Sequence, residues 1–361
     1  MKKHAYIIKS ITVCLALFGL LMVYSSSSIW SEYKFGDPFY FFKHQGLFLL
    51  IGLLGMFILS KINYKLYYKK ANWIILICFL LLGLVLIPGI GTIRNGSRSW
   101  FGIGSFGIQP SEFSKIGLII FVAKYLANNE KEMSSFKKGA LPILIVIFLF
   151  FGLIMLEPDF GTGMVIVGSL IGMIFVSNIH LNFFAYAAVT GLSGMAALII
   201  AAPYRVARII SYLNPWSDPL GSGFQIIQSL FAIGPGGLFG HGFGKSIQKH
   251  FYLPEPQTDF IFAIISEEFG FMGIIILTTL YLTLFYYVLK VSLISSDLFA
   301  KYLAFGLIFG IMLQTVLNIS VVIGLLPVTG VTLPFFSYGG SSLLVSLGSI
   351  GIILNICKNT K

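Results

Sequence analysis

Ten long apolar runs, separated by short polar or Gly/Pro-rich segments, constrain this chain more than any other feature. Of its 361 residues 57% are hydrophobic and only 10% are charged, whereas soluble domains carry about 25% charge. A transmembrane helix needs about 20 mostly apolar residues. The sequence therefore predicts an all-α, polytopic membrane protein with about ten transmembrane helices, and it excludes a secreted enzyme, a cytosolic α/β fold and a disordered chain. The predicted spans are residues 9–27, 44–60, 71–88, 110–127, 140–156, 162–177, 182–201, 259–289, 301–323 and 336–356.

The distribution of charge predicts that both termini face the cytoplasm. With the N-terminus inside, most of the 24 Lys and Arg residues and only three of the 13 acidic residues, Glu130, Glu132 and Asp297, lie on the cytoplasmic side. An excess of basic residues in short loops sets this orientation, and it accounts for the net charge of +11 without a nucleic-acid partner. The first apolar run has no cleavage site and is expected to be retained. We expect one integral membrane domain, residues 1–361.

Two segments on the predicted exterior are rich in turn-forming residues. The first is 88–109, and the second is 202–258, a large extracellular loop between spans seven and eight. The second is much longer than an ordinary connection, which indicates a functional or partly helical segment. Within it, residues 224–231 form an amphipathic stretch that would lie at the interface or re-enter the membrane, and the sequence GPGG at 234–237 is expected to end it.

An aspartate follows the second exterior segment, in the sequence LPEPQTDFIF at residues 253–262. The two prolines prevent a helix before Thr258, which is predicted as the N-cap, so Asp259 would lie in the first helical turn at the outer water boundary. The positive end of the helix dipole favours its ionised form there. Asp259 is a candidate general base, although a capping carboxylate is an alternative role. Glu267 and Glu268, two turns deeper, would face a polar cavity or pair with another helix.

Two further motifs place charged residues at the outer ends of spans. In QPSEFSK at 109–115, Glu112 and Lys115 lie three residues apart on one helix face, where they would form an ion pair. A cationic Lys115 in a cleft would also suit a phosphate. Glu157 and Asp159, on either side of Pro158, would line a cavity or cap a tight turn.

The chain has four arginines, and all of them fall on the predicted exterior side. Guanidinium groups bind phosphates in a planar, bidentate way, which indicates an anionic ligand, whereas anchoring to lipid headgroups is the alternative. Motifs for ATP binding, serine hydrolysis and zinc hydrolysis are absent, and the three cysteines have no metal-ligand spacing. No cofactor is evident from the sequence. The arginines are Arg94, Arg98, Arg205 and Arg208.

Together these motifs resemble the SEDS family (shape, elongation, division and sporulation), most closely its SpoVE and FtsW branches. The resemblance covers nearly the whole chain and is specific in SRSWFGIGSFGIQPSEFSK, EPDFGT, NPWSDPLGSGFQIIQSLFAIGPGGLFGHGFG, YLPEPQTDFIFAIISEEFG and LPVTGVTLPFFSYGGSS. Many relatives have a glutamine where this chain has Glu157, so the role of that residue stays open.

The resemblance implies a peptidoglycan polymerase in the bacterial plasma membrane that uses lipid II, the undecaprenyl-pyrophosphate-linked disaccharide pentapeptide. Asp259 matches the family's essential exterior aspartate, and Glu112 and Lys115 match its cavity pair. Trp100 and either Arg94 or Arg98 match residues of the preceding loop. The sugar 4-hydroxyl of one lipid-linked disaccharide would attack the anomeric carbon of the growing chain, and a single inversion would form the β-1,4 bond.

The resemblance also implies partners and leaves two other functions open. A class B penicillin-binding protein and divisome or sporulation proteins are the expected partners. A divalent cation, Mg²⁺ or Mn²⁺, is compatible with the reaction, although no ligand cluster requires one. The alternatives are a lipid II flippase, since charged groups inside spans also suit a transporter, and a non-catalytic scaffold. The resemblance is compatible with a role in division, in elongation or in spore cortex synthesis.

Overall fold

Each of the ten predicted spans corresponds to one helix in the computed structural model. The structure describes residues 2–94, 96–103, 106–180, 182–201 and 203–359, apart from the side chains of residues 103, 106, 198, 204, 205, 207 and 208. The helices are α1 (Lys2–Phe35), α2 (Tyr40–Leu59), α3 (Lys65–Val85), α4 (Pro110–Asn128), α5 (Leu141–Leu156), α6 (Phe160–Phe175), α7 (Asn182–Ile200), α8 (Pro203–Leu213), α9 (Phe224–Ile233), α10 (Ile261–Ile294), α11 (Leu298–Val322) and α12 (Gly340–Asn359).

Seven helices in the described part of the chain are long and apolar enough to cross a membrane. The chain is thus a multi-pass, all-α membrane protein. The exact number of ten spans stays a prediction, because α4, α6 and α7 are not among these seven. The seven are α1, α2, α3, α10, α11, α12 and the segment Phe136–Leu156, which contains α5.

The helix α11 lies at the centre of the bundle, where it packs against α4, α6, α10 and α12. The helix α12 is buried along most of its length and packs mainly against α2, while α1 contacts α2, α10 and α12. An apolar core runs through these contacts and includes Phe150, Phe260 and Phe336. The bundle therefore holds the outer ends of α4, α10, α11 and α12 close together.

A small antiparallel sheet interrupts the helices in the first exterior segment. Its strands are β1 (Thr92–Arg94), β2 (Ser97–Ile103) and β3 (Phe106–Ile108), in the order β1-β2-β3. Thr92 pairs with Trp100 and Arg94 with Ser97. The sheet contacts α3, α4 and α12, so it lies over the outer end of the bundle.

The predicted eighth span differs from the structure in its start and its continuity. The helix α10 begins at Ile261 with Phe260 as the N-cap, so the prediction of Thr258 as the N-cap with Asp259 in the first turn was wrong. Gly270 has φ 61° and ψ −161°, which breaks the helix nine residues after its start. Glycine adopts such angles without a steric penalty.

The second exterior segment supplies the hydrogen bonds that this break leaves open. The amides of Phe271 and Met272 donate to the carbonyls of Gly237 and Leu238 at 2.9 and 3.0 Å, and the amides of His241 and Gly242 donate to the carbonyls of Glu267 and Glu268. Irregular backbone at membrane depth must be paired within the protein. The segment 236–242 therefore re-enters the bundle beside α10.

The amphipathic stretch predicted at 224–231 is the helix α9, which ends where the GPGG sequence begins. It packs against α10 and α11, and the Ser229 hydroxyl donates to the Val322 carbonyl at 2.7 Å. Ile226, Ile227 and Ala232 are buried. The stretch is thus part of the bundle and does not lie flat on its surface.

Candidate active site

Glu112 and Lys115 form the predicted ion pair at the start of α4. Pro110 occupies the first helical turn, where its missing N–H costs nothing. The Lys115 Nζ lies 3.0 Å from Glu112 Oε2, and the two side chains are 9% and 8% exposed. Lys115 also donates to Gln314 Oε1 at 2.6 Å. We call Glu112, Lys115 and Gln314 the outer cluster.

Two amides of α11 that the sequence analysis missed connect the outer cluster to Asp259. The Gln314 amide donates to the Thr332 carbonyl at 3.0 Å. One turn further along, the Asn318 amide donates to the carbonyls of Val331 and Asp259 at 2.8 and 2.7 Å. Residues four apart share one face of a helix, so Gln314 and Asn318 form a polar stripe with Lys115 at one end and the Asp259 backbone at the other. Buried amides four residues apart in an apolar span are a signal that would have identified them.

Asp259 lies in the loop that precedes α10 and is half-buried. The Thr258 hydroxyl lies 2.9 Å from Asp259 Oδ1. The amide of Tyr338 donates to the Gln257 carbonyl at 2.7 Å, which together with Asn318 fixes residues 257–259 against the segment before α12. Asp259 therefore lies outside α10, in a fixed loop near the surface.

Asp159 caps α6 and extends the polar region around the outer cluster. Its carboxylate accepts hydrogen bonds from the Thr162 amide at 3.1 Å and the Gln109 side chain at 2.7 Å. Burial raises the pKa of Asp159, while the bonds from Thr162 and the charge of Lys115 oppose this rise. The turn is therefore capped by Asp159. This was one of the two predicted alternatives, the other being that Glu157 and Asp159 line a cavity.

Glu157 is fully buried beside this turn. Its carboxylate oxygens have no hydrogen-bond partner among the described residues. Burial, and to a smaller extent the charge of Asp159, raises the pKa of Glu157 to about 8. The Ser97 hydroxyl donates to the Glu157 carbonyl, which ties the sheet to the turn. At neutral pH Glu157 is mainly protonated and neutral.

The sheet carries Arg94, Arg98 and Trp100. The Arg94 guanidinium lies over the Trp100 ring, 5.0 Å from its centroid, in cation–π geometry. Burial raises the pKa of Tyr338 to about 12, and the positive charge of Arg94 opposes this rise, so Arg94 lies near the Tyr338 side chain. The Arg98 guanidinium is directed toward the Leu86 carbonyl, 3.5 Å away. The side chains of Arg205 and Arg208, in α8, lie outside the described residues.

Glu267 and Glu268 belong to a different group of residues. Glu268 accepts from the Ser25 hydroxyl at 2.6 Å and forms an ion pair with Lys249 at 3.2 Å. Glu267 accepts from the Ser246 hydroxyl and the Ile247 amide at 2.5 and 2.7 Å. This group joins α1, α10 and the second exterior segment, which favours the structural alternative for both glutamates. We call it the anchor cluster: Ser25, Ser246, Lys249, Glu267 and Glu268.

A metal site has no ready ligand set in the described residues, where no group of three or more His, Cys, Asp or Glu side chains is placed to hold an ion. The compatibility of the reaction with Mg²⁺ or Mn²⁺ stays a prediction.

Comparison with known proteins identifies the family. A family model described as "Cell cycle protein", named for FtsW, RodA and SpoVE, matches residues 6–361. This chain belongs to that family. It is 52% identical to stage V sporulation protein E of Bacillus subtilis over 97% of this chain and 96% of the relative. It is 39% identical to a probable peptidoglycan glycosyltransferase FtsW of a Geobacter species, over 97% and 95%.

Solved structures show the same fold. A chain from a structure described as the coordination of polymerization and crosslinking by a peptidoglycan synthase complex has a TM-score of 0.78 and 30% identity, with 98% of this chain and 97% of that chain covered. The crystal structure of the rod shape determining protein RodA from Thermus thermophilus has a TM-score of 0.73 and 27% identity, with 98% and 96% covered. The family membership and the RodA-like fold confirm the resemblance found in the sequence.

Proposed function

We propose that this protein polymerises peptidoglycan glycan strands from lipid II at the outer face of the membrane, in cell division or spore formation. The protein is then a peptidoglycan glycosyltransferase, as its FtsW relatives are named. The observation that carries the proposal is the polar stripe of α11, which joins the buried outer cluster to the half-buried Asp259.

Asp259 is the proposed general base. The attacking sugar 4-hydroxyl must lose a proton as it forms the new bond, and a carboxylate outside the helix and near water is placed to accept it. General base catalysis typically contributes about 10²- to 10⁴-fold to a rate. The hydrogen bond from Asn318 to the Asp259 backbone holds this residue in position, which a productive attack requires.

Cations stabilise the leaving pyrophosphate in this proposal. Arg94 and Arg98 are half-buried on the sheet above the bundle, and they are the proposed contacts of the pyrophosphate oxygens, with Trp100 holding the Arg94 guanidinium. Lys115 supplies positive charge from below through the outer cluster. Positive charges aimed at a developing anion lower the barrier without reorganisation.

The protein is proposed to work with a penicillin-binding protein transpeptidase, and both of its termini are proposed to be cytoplasmic. The support for a partner is the similarity to a chain of a peptidoglycan synthase complex in which polymerization and crosslinking are coordinated. The excess of lysine in the loops assigned to the cytoplasm supports the orientation.

Incubation of the purified protein with fluorescent lipid II in detergent tests the function. Detergent micelles have no two sides, so a flippase or scaffold gives no product, whereas a polymerase gives a ladder of glycan strands. The reaction is run with and without a class B penicillin-binding protein and with Mg²⁺, Mn²⁺ or a chelator. Absence of strands under all these conditions would refute the proposal.

A further inference from the structure

The outer end of α1 carries an exposed aromatic surface that the proposed reaction does not use. Tyr33 is 82% exposed, and its ring meets the Phe251 ring edge-on with the centroids 5.4 Å apart. The rings of Phe251 and Tyr252 are about half exposed. Phe251 has φ 67°, a conformation that is unusual for a bulky residue and costs free energy. We call Tyr33, Phe251 and Tyr252 the aromatic platform.

The aromatic platform lies past the outer end of the first predicted span, residues 9–27. At 1.5 Å per residue, the 34 residues of α1 are about 51 Å long, and a bilayer with its headgroups is about 40–45 Å thick. Tyr24 stacks on Phe39 at 4.9 Å near the outer end of the predicted span, which is typical of the aromatic belt at a membrane interface. Tyr33 is nine residues further out, or about 14 Å. The platform therefore lies outward of this aromatic pair, and its rings are exposed on the surface of the protein.

The platform stands at nearly the same height as Asp259. The hydrogen bonds between Ser25 and Glu268, at 2.6 and 2.8 Å, set the level of α1 against that of α10. Tyr33 lies eight residues outward from Ser25, or about 12 Å, and the start of α10 at Ile261, two residues after Asp259, lies seven residues outward from Glu268, or about 11 Å. Phe251 also belongs to the exterior segment that leads directly into Asp259.

We propose that the aromatic platform binds the glycan strand as it grows away from Asp259, an inference that rests on the proposed function. Sugars in β-1,4-linked chains present flat faces of C–H groups, and such faces stack on aromatic rings that are exposed to water. The strand must leave the site on the exterior side, and the platform offers rings at that height. The ring surface binds the saccharide, and neither the lipid nor the peptide is required.

Three variants of the full-length protein test this inference. Tyr33→Ala removes the ring, Tyr33→Phe keeps it, and Tyr6→Ala is the matched control, since Tyr6 lies at the opposite end of α1 and is 73% exposed. The probe is a soluble, peptide-free and lipid-free oligosaccharide of alternating β-1,4-linked N-acetylglucosamine and N-acetylmuramic acid. Loss of one aromatic contact should weaken its binding about two- to tenfold in Tyr33→Ala, with little change in the other two variants. Strands made from lipid II should also be shorter in Tyr33→Ala.

Each alternative result has a definite meaning. Unchanged oligosaccharide affinity in Tyr33→Ala overturns the inference, and so does an equal loss in Tyr6→Ala or Tyr33→Phe. If Tyr33→Ala changes only binding to lipid vesicles, the ring contacts headgroups and the inference is wrong. A wild-type protein that binds the oligosaccharide through Tyr33 but makes no strands would refute the polymerase and leave the platform as a saccharide-binding surface.

Discussion

The outer cluster and the anchor cluster each contain a buried lysine–glutamate pair, but their surroundings differ. The N···O distance is 3.0 Å for Lys115 and Glu112 and 3.2 Å for Lys249 and Glu268. In the anchor cluster the glutamates also accept bonds from serine hydroxyls and backbone amides, and Lys249 donates to the Gly244 carbonyl at 2.6 Å. These bonds enclose the charges and join three parts of the chain.

The outer cluster, by contrast, continues along the polar stripe of Gln314 and Asn318 to the backbone carbonyl of Asp259, a residue that is half-buried. Both clusters satisfy their charges, which buried ions require. Among the described residues, the outer cluster is thus linked to the loop that carries Asp259. Buried charge therefore does not identify a reacting site by itself, and a connection to an accessible group is the more informative feature.

Replacement of Asp259 should have the largest effect on activity. Asp259→Asn keeps the size of the side chain and removes the base, so the rate of strand formation should fall by about 10²- to 10⁴-fold. The thermal unfolding temperature should hardly change. Asp37→Asn, at a half-buried carboxylate paired with the exposed Lys43, is the control and should remain active. An active Asp259→Asn protein would contradict the assignment.

The two lysines offer a direct comparison of the clusters. Lys115→Met and Lys249→Met each leave a buried carboxylate without its cation, which should cost about 3–5 kcal/mol of stability. The double variant Lys249→Met with Glu268→Gln should recover part of the loss.

The activity of the protein that remains folded separates the two lysines. Lys115→Met should also reduce turnover per folded molecule, measured with lipid II under conditions where both variants are folded. Equal turnover in Lys115→Met and Lys249→Met would show that Lys115 has only a structural role.

Asn318 should affect activity to a smaller extent. Asn318→Leu removes the hydrogen bonds to Val331 and Asp259, and displacement of the base should lower the polymerisation rate about tenfold. Asn355→Leu is the matched control, because the Asn355 amide donates to the Ser60 carbonyl at 3.1 Å near the other end of the bundle. Both variants should lose stability, but the polymerisation rate should fall in Asn318→Leu alone. A similar polymerisation rate in the two variants would contradict the positioning role of Asn318.

Glu157 should have the smallest effect on activity, and its effect on stability should depend on pH. Its pKa is about 8 in the folded protein and 4.5 ordinarily. As the pH rises, the unfolded chain therefore loses this proton at a lower pH than the folded protein does. The contribution of Glu157 to stability falls as the pH rises from about 4.5 through about 8. In Glu157→Gln the unfolding temperature should vary less with pH across this range. An unchanged pH profile in Glu157→Gln would show that Glu157 is ionised in the fold.

The sequence predicted the helices well, because runs of apolar residues of membrane length are unambiguous. The capped turn at Asp159 and the pairing of Glu112 with Lys115 followed from their short spacing. The start of α10 was wrong by two residues, since the loop at 257–259 is held by Asn318 and Tyr338, which are distant in sequence. Lys249 was missed for the same reason, as its partners Ser25 and Glu268 come from other segments.

The break at Gly270 divides α10 into two pieces with different supports. The inner piece is a continuous membrane helix, whereas the outer piece is bonded along its end to residues 236–242 and through Glu267 and Glu268 to residues 246–249. The outer piece and the extracellular segment therefore form one mechanical unit, with Asp259 at its tip. A force applied to that segment would be transmitted through these bonds to the outer piece and so to Asp259, the proposed base.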